Sequence, residues 1–191
     1  MTSDELNSKD SINEDLRITQ AKLSVINAVQ ESQSRVKAMA LIHQLLYQDK
    51  DLANINFKVY LPQLVNALSS IFKKEGTKVT RKIEVDDLSF DIDTAIPLGL
   101  IVAELVANAY KYAYNESNPG ELSIKIDTLS KNSYLLTVAD NGPGLASTIN
   151  IRELSSMGLR LVNILTNQLD GIFNYSYNKG SVFTVQFSDT I

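Results

Sequence analysis

Glu104-Leu-Val-Ala-Asn108-Ala-Tyr-Lys111-Tyr112 and Asp140-Asn-Gly142-Pro-Gly144, separated by two strand-like segments, decide the reading of this chain. In a regular α-helix Glu104, Asn108 and Lys111 stand at i, i+4 and i+7, so a carboxylate, an amide and an ammonium share one face. Leu105, Val106, Ala109 and Ala113 fall on the other side and can face a core. Three unlike polar groups on one stripe suit a metal–phosphate ligand: the amide oxygen and carboxylate serve Mg²⁺ or its waters, and the lysine meets a phosphate. Asp140 closes the apolar alternation Tyr134, Leu136, Val138 and opens a Gly-Pro-Gly turn. A carboxylate fixed there can accept a hydrogen bond from an exocyclic amine, while the glycines let backbone approach a flat ring. A capped surface helix or an ordinary hairpin turn explains either half alone; both together, in this order, argue against that.

At these residues the chain resembles a known superfamily. E-x-x-x-N-A-x-K-Y resembles the N box of the GHKL ATPases, which include gyrase, the heat-shock chaperone, the mismatch-repair ATPase and histidine kinases. Asp140-Asn-Gly-Pro-Gly144 resembles their first glycine box, D-x-G-x-G, and Ser156-Met-Gly158-Leu-Arg-Leu-Val162 the second, G-L-x-L-V. Lys179-Gly180-Ser181-Val-Phe183 resembles the closing G-S/T-x-F strand, and the Lys-Tyr ending of the N box points to histidine kinases.

The resemblance implies a Bergerat-type ATP-binding α+β sandwich, a mixed sheet with helices on one face, preceded by a long helical dimerisation region. It also implies roles. Asn108 would hold Mg²⁺ bridging the ATP phosphates, and Lys111 would touch the phosphates. Asp140 would bind the adenine amino group, with Gly142 and Gly144 shaping the pocket floor. Gly158 would start a helix whose free N–H groups meet phosphate oxygens, with Leu159 packed nearby. Ser181 would assist Asp140 through water, Tyr112 would line the pocket, and Glu104 would polarise the attacking group or order a water.

Taken in order, residues 1–10 are polar and aperiodic, and a frayed end is expected there. Ser11-Ile-Asn-Glu14 reads as a capping box before a long helix whose stripe is Leu16, Leu23, Ile26, Val29, Val36, Met39, His43 and Leu46, ending near Gln48–Asp51. Such a stripe needs a partner helix or a second copy, which makes a homodimer through these helices the expectation. A second helix follows; Pro62 fits best in a first turn, which predicts a start near Val59–Leu61 and an end at Lys73–Gly76. The boundary is placed in the polar connector Asn54–Asn56, giving a helical dimerisation region over 1–54 and a catalytic domain over 55–191.

Beyond Thr77 the predicted order is strands Val79–Val85 and Leu88–Ile92, an N-box helix capped by Asp93, strands Leu122–Ile126 and Tyr134–Asp140, a mobile loop Leu145–Met157, a helix Met157–Leu169, and a hairpin of Gly171–Tyr177 with Ser181–Phe187. One sheet covered by helices on one face follows.

Composition excludes several classes. A net charge of −4 and pI near 5.0 argue against a general nucleic-acid binder. With no cysteine there are no disulfides, which fits a reducing, cytoplasmic setting, and one histidine rules out a multi-histidine metal site. No apolar run is read as reaching the length of a membrane span, and the N-terminus is unlike a signal peptide, so no direct membrane contact is expected.

Glu31-Ser-Gln-Ser-Arg35-Val-Lys-Ala-Met-Ala-Leu-Ile-His43-Gln-Leu-Leu-Tyr47, followed by Phe57-Lys-Val-Tyr-Leu61, is similar to the second dimerisation helix of sensor histidine kinases of the HWE-related class. In that class the phosphorylated histidine lies on the first dimerisation helix, in a motif like H-H-R-V-K-N-N-L. Here Arg35-Val-Lys37 echoes part of that motif, and Ser32-Gln-Ser34 stands where histidines would be. The phospho-acceptor helix is thus expected to be missing, and His43, on the apolar stripe, is read as a core or interface residue. The resemblance implies ATP-dependent transfer to a histidine-containing acceptor helix, then to a response regulator. A non-enzymatic nucleotide-binding regulatory module is the alternative. A third reading, another GHKL ATPase, is opposed by the kinase-like helices and small size.

Overall fold

The computed structural model describes residues 3–47, 53–73, 75–115, 119–145 and 157–189. It divides into two compact units, Met1–Lys37 and Ala38–Ile191.

Helix α1 runs Ser3–Leu46. It begins upstream of the expected cap, in a stretch with no Gly or Pro to stop it. The expected end at 48–51 lies outside the described residues. In the first unit the stripe is unburied: Leu16, Leu23, Ile26, Val29 and Val36 are all exposed. In the second unit the helix buries Ala38, Ile42 and Leu46, of which only Leu46 belongs to the expected stripe. His43, expected on a packed stripe, is exposed within the chain and stacks on exposed Tyr47, ring centroids 4.2 Å apart.

The polar connector expected before the second helix contains a short strand, β1 (Ile55–Asn56), and helix α2 is Phe57–Phe72. Pro62 therefore lies beyond the first turn, and α2 starts earlier than predicted. Its start is fixed by tertiary contacts, with no side-chain cap from Asn56. The Phe57 N–H donates to the Leu88 carbonyl at 2.9 Å, and β1 pairs antiparallel with β3 (Ser89–Phe90). Strand β3 is thus shorter than the predicted Leu88–Ile92 and forms a separate two-stranded ribbon. Phe57 meets Phe90 edge-on, and Phe90 in turn meets Tyr134 and Phe187 of the main sheet.

That sheet contains β2 (Val79–Val85), β4 (Gly120–Ser130), β5 (Ser133–Asp140), β6 (Ile172–Tyr177) and β7 (Ser181–Ser188), in the order β2-β4-β5-β7-β6. Only β2–β4 is parallel. Strand alternation gives rows of apolar side chains across it: Ile83, Ile124, Val138, Phe183 and Tyr175 in one, Val85, Ile126, Leu136, Val185 and Phe173 in the next. Asp140 follows two positions after Val138, so the same alternation aims it at the helix-covered face. The β4–β5 turn takes Asn132 at φ 59°, a conformation asparagine tolerates.

Helix α3 (Ile92–Asn108) packs on α2, and α4 (Met157–Gln168) packs on α3. The cap of α3 is Asp91, whose Oδ1 accepts from Thr94 N at 2.8 Å; Asp93, the expected cap, sits inside the first turn, where its charge suits the helix dipole. The segment Ile92–Ala113 corrects the membrane expectation: at 22 residues and mean hydropathy 1.5 it is long and apolar enough to span, by length and composition alone. Its apolarity has another cause here, since Leu98, Ile101, Val102, Leu105 and Val106 are fully buried in the core. The loop expected over Leu145–Met157 lies, for residues 146–156, outside the described residues.

Candidate functional site

The N-box helix does not stay a regular α-helix. After Asn108 it widens into a π-helical turn, Ala109–Ala113. This departs from the regular spacing expected for Glu104, Asn108 and Lys111, because the wider turn shifts Lys111 from the 3.6-residue period. Glu104 is 8% exposed and Asn108 half-buried, whereas Lys111 is exposed, its Nζ 4.9 Å from the centroid of the exposed Tyr112 ring. π-turns inside helices recur at functional sites. This one keeps Glu104 inside and turns the lysine outward.

The first glycine box closes on this turn. Asp140 Oδ1 accepts from Gly142 N at 2.8 Å and from Ser181 N at 3.3 Å. Two backbone donors on one oxygen fix the carboxylate and leave Oδ2 to accept from a ligand amine. Ser181, 6% exposed, therefore serves Asp140 through its main chain in this geometry. Gly142 is buried, and a side chain there would overlap Ala113 of the π-turn. Gly144 adopts φ +79°, and a Cβ on it would lie 2.6 Å from the Tyr177 ring. Gly158 and Leu159 are buried in the first turn of α4.

The structure thus joins Asp140, Gly142 and Ser181 directly and seats the glycine box against the end of the N box. Lys111 and Tyr112 are exposed, whereas Glu104 is buried.

Sequence reasoning passed over several residues that build this site. Asn141 Oδ1 accepts from Glu121 N at 2.8 Å and its Nδ2 donates to Pro119 O at 3.0 Å. Tyr114 Oη donates to Glu121 O at 3.0 Å. Tyr175 Oη accepts from Leu145 N at 2.8 Å. Burial, and then the charge of Asp140, push the Tyr114 phenol above the usual tyrosine range. Asn141 and both tyrosines bond backbone at least seven residues away in sequence, so no local pattern marked them.

Among the described residues no group of three or more His, Cys, Asp or Glu could hold a metal ion. Asn108 and Glu104, one turn apart, supply a small oxygen set, which matches an ion that keeps waters and phosphates as its other ligands.

A family profile described as "Histidine kinase-, DNA gyrase B-, and HSP90-like ATPase" matches residues 93–191, and one described as "Histidine kinase" matches 12–72. The chain belongs to this ATPase family, in its histidine kinase branch. It is 26% identical over 168 residues to blue-light-activated histidine kinase 2 of Erythrobacter litoralis, covering 83% of this chain and 47% of that protein. It is 29% identical to the sensor histidine kinase PdtaS of Mycobacterium tuberculosis over 75% of this chain and 28% of that one. The chain therefore spans about half or less of these curated relatives. The solved histidine kinase domain of the Erythrobacter litoralis blue-light activated kinase superposes with a TM-score of 0.71 at 22% identity, over 85% of this chain and 82% of that one, a likeness of fold. The expected mixed sheet covered by helices is that of histidine kinase ATPase domains.

Proposed function

We propose that this chain is the ATP-binding catalytic portion of a two-component sensor histidine kinase, working in the cytoplasm. The observation that carries the reading is the Asp140 carboxylate, pinned by the N–H groups of Gly142 and Ser181 with Oδ2 left to accept the adenine amine. ATP supplies the γ-phosphoryl group. Asn108, with Glu104 one turn away, would hold an Mg²⁺ that neutralises phosphate charge. Gly142 and Gly144 keep side chains off the adenine ring, and the first N–H groups of α4 beside Gly158 and Leu159 meet phosphate oxygens. Lys111 and Tyr112 are exposed, so in this reading they swing toward the phosphates and the pocket mouth when nucleotide is bound. Glu104, inside the helix layer, orients the attacking imidazole of the acceptor and accepts its proton as the N–P bond forms and the bond to ADP breaks.

The acceptor histidine lies on a partner helix, from which the phosphoryl group passes to a response regulator. Residues 1–54 pair two copies as a homodimer and 55–191 bind ATP. Incubation with γ-labelled ATP tests the proposal: the chain should label an added acceptor helix of the family but not itself, and Glu104→Gln should slow transfer far more than it weakens ATP binding. A normal ATP affinity with no transfer would favour the second reading, a nucleotide-binding regulatory module. The observation behind that reading is Ser32-Gln-Ser34 standing where the acceptor motif has histidines. An acid-labile label on this chain, lost in His43→Ala, would assign His43 as acceptor instead.

A further inference from the structure

The peptide of Glu121, at the start of β4, is held from two directions. Its N–H donates to Asn141 Oδ1, and its carbonyl accepts from Tyr114 Oη. Asn141 directly follows Asp140 in the first glycine box, and Tyr114 directly follows the π-turn that ends the N box. The β4–β5 ladder stops at Leu122↔Asp140. One step farther, the Asn141 side-chain amide takes the place of a strand peptide: it accepts from Glu121 N and donates to Pro119 O at 3.0 Å. Between those two partners lies Gly120, where a Cβ would stand 2.6 Å from the Tyr114 ring. Glycine here lets that ring lie flat on the chain so that its hydroxyl reaches Glu121.

We propose that the Glu121 peptide sets the register between the phosphate-binding and adenine-binding halves of the nucleotide site, with Asn141 and Tyr114 as its positioning residues. The inference rests on the nucleotide reading above. There, Asn108 serves the phosphates and Asp140 the adenine, and each lies at the end of an element tied to the same peptide. A ligand that engages both halves at once is sensitive to their relative placement, whereas one that touches a single half is not.

The test titrates full-length wild type, Asn141→Ala, Tyr114→Phe and the double variant with MgATP and separately with adenosine, alongside thermal unfolding. Each single change should weaken MgATP about tenfold and leave adenosine within about twofold of wild type. The double variant should lose less than the product of the two, because both bonds act through one peptide. General loosening of the fold would instead weaken both ligands together. Should Tyr114→Phe fail to fold, Asn141→Ala, at an exposed position, carries the test alone. Unchanged MgATP binding, or equal losses for MgATP and adenosine, overturns the register role while leaving the nucleotide site standing. Wild type that binds no nucleotide overturns both.

Discussion

Gly142 lies against Ala113 so closely that any side chain on the glycine would occupy the space of the alanine methyl. The first glycine box and the N box are thereby in contact through backbone. Gly142→Ala should destabilise the domain by about 1–3 kcal/mol, since a packed site must move to admit the methyl. The pair Gly142→Ala with Ala113→Gly should regain only part of that, because the added Cβ would still lie 2.6 Å from the Ala113 Cα and the new glycine costs about 0.5–1 kcal/mol in a helix. Urea denaturation of the three variants reads this directly. A double variant no more stable than Gly142→Ala would show that the Ala113 backbone, and not its methyl, sets the cost.

Asp140→Asn should separate fold from binding. The amide oxygen keeps the two N–H donors of Gly142 and Ser181, so the thermal midpoint should stay within a few degrees of wild type. The amide NH₂ replaces an acceptor by a donor and faces the adenine amine, a mismatch that should weaken ATP about a hundredfold or more. Calorimetric titration giving wild-type affinity would displace Asp140 from the adenine role.

Burial pushes the Tyr60 and Tyr114 phenols above the usual tyrosine range, with the Asp140 charge adding to the effect at Tyr114. In the unfolded chain both ionise near pH 10, while in the folded chain they keep their protons to higher pH. Their contribution is therefore complete below about pH 10 and is lost as pH rises, by up to about 1.4 kcal/mol per pH unit for each group. Denaturation midpoints taken from pH 9 to 11.5 should fall steeply in wild type, and Tyr60→Phe should remove part of the slope. Tyr60 Oη is buried with no hydrogen-bond partner among the described residues, so this variant should be at least as stable as wild type at neutral pH. An unaltered slope would place the titration elsewhere.

Leu23, Ile26 and Val29 stand exposed on α1 at 57%, 54% and 51%. If two copies cover this stripe, each side chain contributes about 1.5–3 kcal/mol on burial. Leu23→Glu with Val29→Glu should then convert a dimer to a monomer in light scattering and leave ATP affinity unchanged. A monomeric wild type at high concentration would remove the dimer from the proposal.

The legible parts of this chain were those whose signal is local. The alternation Tyr134, Leu136, Val138 named a strand and its buried face, and that same alternation placed Asp140 toward the helices. Pro62 misplaced a helix start because Phe57 N–H is satisfied by Leu88 O, a partner thirty-one residues away (88 minus 57) that no local rule contains. Asp93 is the expected cap, and Asp91, an aspartate two residues earlier, holds that place instead. Lys111 was drawn onto the Glu104 face by assuming 3.6 residues per turn through a segment that is π-helical. Tyr114 and Tyr175 act through hydroxyls on backbone atoms distant in sequence, so periodicity could not show them.

Strand β2 joins the sheet only through its parallel pairing with β4, and Val79 and Gly120, its first partners, are forty-one positions apart (120 minus 79). The β4–β5 hairpin, by contrast, closes across Ser130↔Ser133. Closure entropy grows with separation, and near contacts form sooner. The near contacts of the two hairpins are therefore expected to form before the β2–β4 pairing. Held along one side only, β2 and β6 are the strands where native-state amide exchange should begin. Strands β5 and β7, which carry Asp140 and Ser181, are each flanked by neighbours on both sides. The domain can therefore breathe at its β2 and β6 edges while the carboxylate and its backbone donors stay assembled.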